Sequence, residues 1–134
     1  MSDKKNKSMI MKSFNTHFFD FLQDIINIFP ENQDIQYAKT SFESFKQMNP
    51  SIIIKAWFSY VYTPYAKIID DGDISFFFDK NYDDDLSILS KAKEIMGMID
   101  KLREPVRRMS DLSKTHSMKY IQNLSKLSTL YDGM

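Results

Sequence analysis

The chain contains no cysteine, and only three glycines, four prolines and two histidines stand among its 134 residues. The absence of cysteine excludes disulfide bonds, thiolate metal ligands and a thiol nucleophile. The scarcity of glycine and proline argues against an all-β sandwich or barrel, which needs turn residues about every 8–12 positions. No apolar run approaches the roughly 18 residues of a transmembrane helix, and the basic N-terminus lacks the apolar core of a signal peptide. We therefore expect no membrane span.

What the chain does contain is typical of a globular protein, with 43% hydrophobic and 14% aromatic residues. Its length suits one domain. The formal net charge is zero, but residues 70–85 hold seven aspartates and one lysine, whereas residues 91–126 hold nine basic and four acidic residues. Such a distribution can steer a partner or favour head-to-tail self-association. Alternatively, the two regions partly neutralise each other within one fold.

Apolar residues recur at three- and four-residue spacing along most of the chain, which is typical of amphipathic helices. The pattern predicts one further turn at residues 65–69 and helices over residues 13–29, 34–48, 50–62, 83–102 and 106–131. Residues 1–12 are predicted to be a disordered basic leader, and residues 13–134 a single helical domain. The expected fold class is all-α: a compact single-domain bundle of about five helices with a short acidic loop in the middle.

Three prolines set the expected helix boundaries. Asn49 is a good N-cap and Pro50 suits the first helical position, so a helix should begin there. Because this helix has apolar residues on nearly every side, it is predicted to be the most buried one. Pro64 should end or kink it, and Pro105 should kink the next helix or separate it from the last one. The polar stretch at residues 107–117 is either a solvated helix or a surface for a partner.

The acidic segment resembles a calcium-binding loop but lacks two of its essential positions. A loop of the EF-hand type needs Gly at position 6 and Glu at position 12. Counted from Asp79, these positions hold Asp84 and Ser90; counted from Asp71, position 6 is Phe76. Without the sharp turn and the bidentate carboxylate, at most a weak, hydrated calcium or magnesium site remains. We therefore predict no metal site.

The same segment is better interpreted as a corner between helices with an acidic face. Gly72 permits a turn, and Asp73 can cap the short turn that follows it. Three consecutive phenylalanines cannot all point inward, so at least one should form an exposed apolar spot. The candidate residues for protein contact in this corner are Asp71, Asp73, Phe76, Phe77, Asp83, Asp84 and Asp85.

The basic stretch at residues 101–119 is the second candidate surface. Helical spacing places several of its cations near one face, where they could contact phosphates or an acidic partner. Interleaved acidic residues and the neutral whole leave a solvated helix face as the alternative. The candidate contact residues are Lys101, Arg103, Arg107, Arg108 and Lys114.

No arrangement of residues suggests catalysis. His17 and His116 have no convincing second ligand or base partner three or four residues away, and a lone histidine is far more often a surface or satisfied residue. The sequence has no glycine-rich phosphate loop and no nucleophile motif. We therefore predict a non-enzymatic protein with no cofactor, no catalytic residue and no small-molecule substrate.

The segment at residues 49–86 carries a series of short motifs: Asn-Pro, a tryptophan seven residues on, Pro-Tyr, Gly-Asp, Phe-Phe and a Lys/Tyr/Asp cluster. These residues are Asn49, Pro50, Trp57, Pro64, Tyr65, Gly72, Asp73, Phe76, Phe77, Lys80, Tyr82 and Asp85. With KLREPV and IQNLSKLSTLY nearer the C-terminus, the chain resembles a family of short all-helical proteins of nucleocytoplasmic large DNA viruses. The resemblance covers most of the chain and assigns no catalytic or binding residue.

The resemblance implies an intracellular viral protein, located in the host cytoplasm or the viral factory or packaged in the virion. Together with the two charged regions, it predicts a non-enzymatic helical interaction protein that contacts a protein partner or a second copy of itself. The alternative is a nucleic-acid-associated protein that uses the basic C-terminal helix face.

Overall fold

The structure is a computed structural model that describes residues 2–78 and 90–133, and this part of the chain contains no β-strand. Its elements in chain order are α1 (Ser2–Ile28), α2 (Gln33–Met48), α3 (Ile52–Ala56), a π-helical segment (Trp57–Tyr62), α4 (Thr63–Asp70), a 3-10 turn (Ile74–Phe78), α5 (Ser90–Arg107) and α6 (Asp111–Asp132). Because α3, the π-helical segment and α4 follow one another without a break, the described residues form five long helical stretches. Apolar side chains from all five meet in one core. The predicted all-α bundle of about five helices is confirmed.

Helix α1 begins at Ser2, so the prediction of a disordered leader over residues 1–12 is wrong for the residues described there. Met11 continues the apolar stripe of α1 and packs against the core, and the Lys7 ammonium group lies 4.7 Å from the centre of the Tyr131 ring. Such tertiary contacts supply the stabilisation that a polar segment lacks in isolation. Further along α1, the apolar stripe that the sequence predicts is buried at Phe14, Phe18, Phe21, Leu22 and Ile25, but its member Ile28 is 43% exposed.

Helix α2 begins and ends within one residue of its predicted bounds. Asn32 caps it, since its Oδ1 atom accepts hydrogen bonds from the backbone N–H groups of Asp34 (2.9 Å) and Ile35 (3.3 Å). The Asp34 carboxylate also suits the positive end of the helix dipole. Met48 is exposed, whereas the rest of the predicted stripe is buried at Ile35, Ala38, Phe42 and Phe45.

The next helix starts two residues later than predicted, at Ile52. Asn49 does not cap it directly, because its Oδ1 atom accepts hydrogen bonds from the backbone N–H (3.1 Å) and the hydroxyl group (2.9 Å) of Ser51. The carbonyl oxygen of Pro50 accepts a 2.9 Å hydrogen bond from Nδ2 of Asn15 in α1. The connection between α2 and α3 is therefore fixed against α1.

Pro64 kinks the central helix rather than ending it. It has no N–H group to donate to the preceding turn, and the backbone just after it, at Tyr65, leaves helical geometry (φ −126°, ψ 24°). The preceding turn is π-helical, and the Thr63 hydroxyl group donates a 2.6 Å hydrogen bond to the carbonyl oxygen of Phe58. The helix then continues to Asp70.

The Trp57 side chain lies in the centre of the core and is 1% exposed. It packs edge-on against Phe14 and Phe18, with ring centres 6.1 Å apart in both pairs. Its Nε1 atom donates a 3.0 Å hydrogen bond to the Ser125 hydroxyl oxygen, which joins the central helix to α6. Helix α6 in fact buries three serines that apolar periodicity does not reveal: Ser117, Ser125 and Ser128.

Pro105 lies inside α5 and does not separate the last two helices. Helix α5 continues to Arg107, and Ser110 caps α6 by accepting a 3.2 Å hydrogen bond from the backbone N–H of Ser113. The boundary therefore lies a few residues later than the proline suggests, where a good N-cap residue is available.

Helices α1 and α6 run antiparallel along one side of the bundle. Near the middle of this pair, the rings of Phe21 and Tyr120 stack with their centres 5.2 Å apart. Beyond them the end of α1 meets the start of α6, so Ile28 and Ser113 line the same small pocket. This end of the bundle carries one of the candidate surfaces.

Candidate interaction surfaces

The chain makes a tight turn directly after α4, at the corner between helices that the sequence predicts. Gly72 adopts φ 81°, a conformation that favours glycine. Asp73 caps the next turn as predicted, because its Oδ1 atom accepts hydrogen bonds from the backbone N–H (3.0 Å) and the hydroxyl group (2.6 Å) of Ser75. From α6, Gln122 donates a 3.0 Å hydrogen bond to the carbonyl oxygen of Ile69 and so anchors the corner.

The hydroxyl group and the backbone N–H of Ser75 hold the pKa of the Asp73 carboxyl below its ordinary value. The ionised form therefore stabilises the fold at pH above the ordinary pKa, and this contribution is lost as the pH falls through the lowered folded-state pKa. We expect Ser75→Ala to raise the Asp73 pKa, whereas the exposed Ser59→Ala control should not. A carboxyl-detected NMR titration measures the Asp73 pKa in the two variants. An unchanged Asp73 pKa in Ser75→Ala would show that the Ser75 hydroxyl group does not lower it.

The sequence predicts that at least one of three consecutive phenylalanines is exposed, and neither Phe76 nor Phe77 is that residue. Phe76 is 8% exposed and its ring lies 5.3 Å from that of Tyr65. Phe77 is 1% exposed, with the Arg103 guanidinium group 5.0 Å from the centre of its ring. Both rings are buried because the turn packs between α4 and α5. Their prediction as protein-contact residues is therefore wrong in this conformation.

The carboxylate side of the corner does lie at the surface. Asp70, Asp71 and Asp73 are exposed, and these three residues define what we call the acidic corner. The remaining predicted contact residues, Asp83, Asp84 and Asp85, and the first turns of the helix predicted over 83–102 lie outside the described residues.

Arg103 was predicted as a contact for phosphate or an acidic partner, and the structure corrects this. Its side chain is only 12% exposed, and its Nε atom lies 2.7 Å from Oδ1 of Asp100. Its Nη1 atom donates a 2.7 Å hydrogen bond to the carbonyl oxygen of Phe77. Arg103 therefore joins α5 to the corner from within. Lys101 stays partly exposed, 4.0 Å from the Asp34 carboxylate of α2.

Arg107 and Arg108 remain at the surface at the end of α5. Their side chains are 63% and 72% exposed and pair with Glu104 at 3.5 and 3.1 Å. Exposed pairs of this kind contribute only about 0–1 kcal/mol, so both guanidinium groups can exchange Glu104 for another anion. Lys114, the last predicted contact residue, is half-buried.

Two exposed apolar side chains lie at the same end of the bundle. Leu112 is 71% exposed and Ile28 is 43% exposed. A pocket of about 330 Å³ between α1 and α6 is lined by Ile28 and by Ser113, the neighbour of Leu112. Arg107 and Arg108 lie at the end of α5, a few residues before Leu112 in the chain, and we call these four exposed residues, Ile28, Arg107, Arg108 and Leu112, the end patch.

Tyr120 and the two histidines lie close to this pocket. Burial, together with the nearby Asp24 carboxylate, raises the pKa of Tyr120 above its ordinary value. His17 is half-buried with its ring centre 4.7 Å from that of Tyr120, and its Nε2 atom has no hydrogen-bond partner in the part of the chain that the structure describes. His17 is therefore neither the surface nor the satisfied histidine expected, whereas His116 is exposed at the pocket rim.

A longer groove lies between α1, α2 and the connection that follows α2, and the sequence did not predict it. It consists of two adjoining hollows of about 940 and 330 Å³ that share Met11 and Pro50. We call it the α1–α2 groove. Helical periodicity places residues on faces but does not show where two neighbouring helices leave a gap. The walls carry the ammonium groups of Lys7, Lys12, Lys39 and Lys46.

Comparison with protein-family models, with curated proteins and with solved structures finds no match for this chain. Within the described ranges, 2–78 and 90–133, no three His, Cys, Asp or Glu residues come together in a way that could hold a metal ion. Nor does any helix in those ranges combine the length and the apolar character needed to cross a bilayer.

Proposed function

We propose that this chain is a non-enzymatic helical protein that works by protein–protein contact, as a virion or viral-factory component of a large DNA virus. The viral part of the proposal is supported by the motifs of residues 49–86 and their resemblance to that family. Detection of the protein in purified virions or isolated viral factories by peptide mass spectrometry tests this part. The contact part is supported by the end patch.

The observation that carries the contact proposal is the 71% exposure of Leu112 at the end of the bundle where Ile28 is also exposed. Full burial of a leucine side chain is favourable by roughly 1.5–3 kcal/mol, so a partner that covers Leu112 gains binding energy. Arg107 and Arg108, which precede Leu112 by five and four residues in the chain, add two exposed cations. Arginine is enriched at protein interfaces and among the residues that dominate binding energy. The end patch thus combines two exposed apolar side chains with two exposed cations.

A second copy of the chain offers a complementary anionic surface. Its acidic corner exposes three carboxylates, on Asp70, Asp71 and Asp73. Contact between the end patch of one copy and the acidic corner of the next would be head-to-tail. Because exposed charges are screened by salt, raising the ionic strength should weaken this association.

Size-exclusion chromatography with light scattering at low and high salt tests the proposal. We expect concentration-dependent oligomers at low salt, their loss at high salt, and a monomer for Leu112→Ser in both conditions. The matched control is Leu130→Ser, the same substitution at a 48% exposed leucine near the other end of α6, which should leave the oligomers unchanged. A wild-type chain that is monomeric at every concentration and salt would contradict self-association.

Adding a short random DNA duplex to the same chromatography runs tests the alternative function, which is binding of nucleic acid by the basic residues. If the arginines bind phosphates, the double variant Arg107→Glu/Arg108→Glu loses DNA co-elution while Leu112→Ser keeps it, and binding falls steeply with salt. If the end patch binds protein, both variants lose the oligomers. The pairing of both arginines with Glu104 favours protein contact, because a dedicated nucleic-acid surface usually has a clear basic excess.

A further inference from the structure

The α1–α2 groove is long enough to hold a segment of another protein. Along α1 it runs from Lys7 to Asp20, about 20 Å at a rise of 1.5 Å per residue. The opposite wall is formed by α2 from Lys39 to Gln47 and by the connection at Pro50. A helix of three to four turns, or about six extended residues, spans this length.

The lining of the groove includes apolar side chains, and further exposed methionines lie close to it in the chain. Met11 and Phe19 line it as partly buried side chains. Met9 is 58% exposed and lies three residues before Lys12, on the same face of α1. Met48, which is 61% exposed, directly follows the α2 wall. Methionine side chains rearrange readily around different apolar partners, so Met11 can pack against an apolar side chain inserted from outside.

A buried amide in the wall has an unused acceptor. Asn15 lines the groove and is only 7% exposed. Its Nδ2 atom donates to the Pro50 carbonyl oxygen, but its Oδ1 atom has no hydrogen-bond partner among the described residues. Buried polar atoms in folded proteins are nearly always hydrogen-bonded. The oxygen atom is itself buried, so a bound segment would reach it only after the Asn15 side chain had turned toward the groove.

The charge of the walls is predominantly positive. Four lysines line the two hollows, against the carboxylates of Asp20 and Glu43. Lys46 lies 4.8 Å from the ring centre of Phe19, and Lys39 donates a 3.0 Å hydrogen bond to the Gln23 amide oxygen. Neither contact neutralises the ammonium charge, because the aromatic ring and the amide are both uncharged. The walls are therefore complementary to carboxylates.

From the length, the apolar lining residues and the positive charge of the groove we propose that the α1–α2 groove binds an acidic amphipathic segment of a partner protein. Apolar side chains of that segment would pack on Met11 and Phe19, and its carboxylates would face Lys12 and Lys39. This is the helix-in-groove mode of recognition, in which anchors recur at three- and four-residue spacing. The site is separate from the end patch and does not depend on it.

Two model peptides test the proposal against the full chain. Both have 15 residues and the same helical pattern of leucines, with Glu at the other positions in one peptide and Lys in the second. We expect the Glu peptide to shift the amide NMR signals of groove residues in the ¹⁵N-labelled protein, and the Lys peptide not to. The variant Lys12→Glu/Lys39→Glu should weaken binding of the Glu peptide by about tenfold or more.

The matched control is Lys119→Glu/Lys126→Glu, which makes the same charge change at exposed positions of α6 and should keep the affinity. Circular dichroism of both variants checks that they fold. Equal binding of the two peptides, or binding of neither, would overturn the proposal. So would an equal loss of affinity in the two variants. Signal shifts confined to the end patch would overturn the groove while supporting contact at the other surface, so the two proposals can fail separately.

Discussion

The variant Trp57→Ala is expected to lose about 3–5 kcal/mol of its free energy of unfolding, the cost of truncating a fully buried aromatic side chain. Trp57 is 1% exposed and packs against Phe14 and Phe18. Its removal leaves a cavity where three helical stretches meet and also breaks the hydrogen bond to Ser125. Since small domains are stable by only about 5–15 kcal/mol, this is a large part of the total. Urea unfolding followed by far-ultraviolet circular dichroism measures it.

Two companion variants separate packing from hydrogen bonding. Ser125→Ala keeps the indole but leaves its buried N–H group unpaired, so it should cost about 1–3 kcal/mol. Leu130→Ala changes an exposed side chain on the same helix and should stay within about 0.5 kcal/mol of the wild type. A Trp57→Ala loss no larger than that of Leu130→Ala would show that Trp57 does not organise the core.

The helices and their buried faces follow from the sequence where one apolar stripe dominates. In α1 and α2, residues such as Phe18 and Phe42 recur at helical spacing between polar residues, so only one face can be buried. Boundaries were less predictable. The start of α1 depends on contacts with a helix more than a hundred residues away, including Lys7 with Tyr131. Pro105 suggests a break, but Ser110 offers a better cap a few residues later.

The candidate surfaces were predicted only in part because composition does not report exposure. A run of three phenylalanines beside aspartates predicts that at least one ring is exposed but does not show which one, and Phe77 proves to be buried beneath Arg103. Arg107 and Arg108 have the same charge as Arg103 and a similar sequence context, yet they remain at the surface. The α1–α2 groove is a property of how two helices and a connection are arranged, which no single periodic pattern encodes.

The second large effect is expected at Arg103. Arg103→Ala removes the partner of the Asp100 carboxylate, whose side chain is only 13% exposed and whose Oδ2 atom already lacks a hydrogen bond in the described structure. The substitution also removes the hydrogen bond that the carbonyl oxygen of Phe77 accepts from Arg103. Removing one member of a buried pair typically costs about 3–5 kcal/mol, because the other charge stays buried without compensation. We expect a loss near the lower end of that range, about 3 kcal/mol, because neither side chain is fully buried.

Further variants distinguish this structural role from a surface contact. The double variant Asp100→Leu/Arg103→Leu removes both charges and should be more stable than Arg103→Ala, since no charge remains buried alone. Arg103→Lys keeps the charge but loses the planar guanidinium group that reaches two acceptors, so an intermediate loss is expected. The matched control is Arg107→Ala on the same helix, where a 63% exposed side chain should change stability by no more than about 0.5 kcal/mol. If Arg103→Ala and Arg107→Ala unfold at the same urea concentration, Arg103 does not hold the corner to α5, and its assignment as a contact for phosphate or an acidic partner regains support.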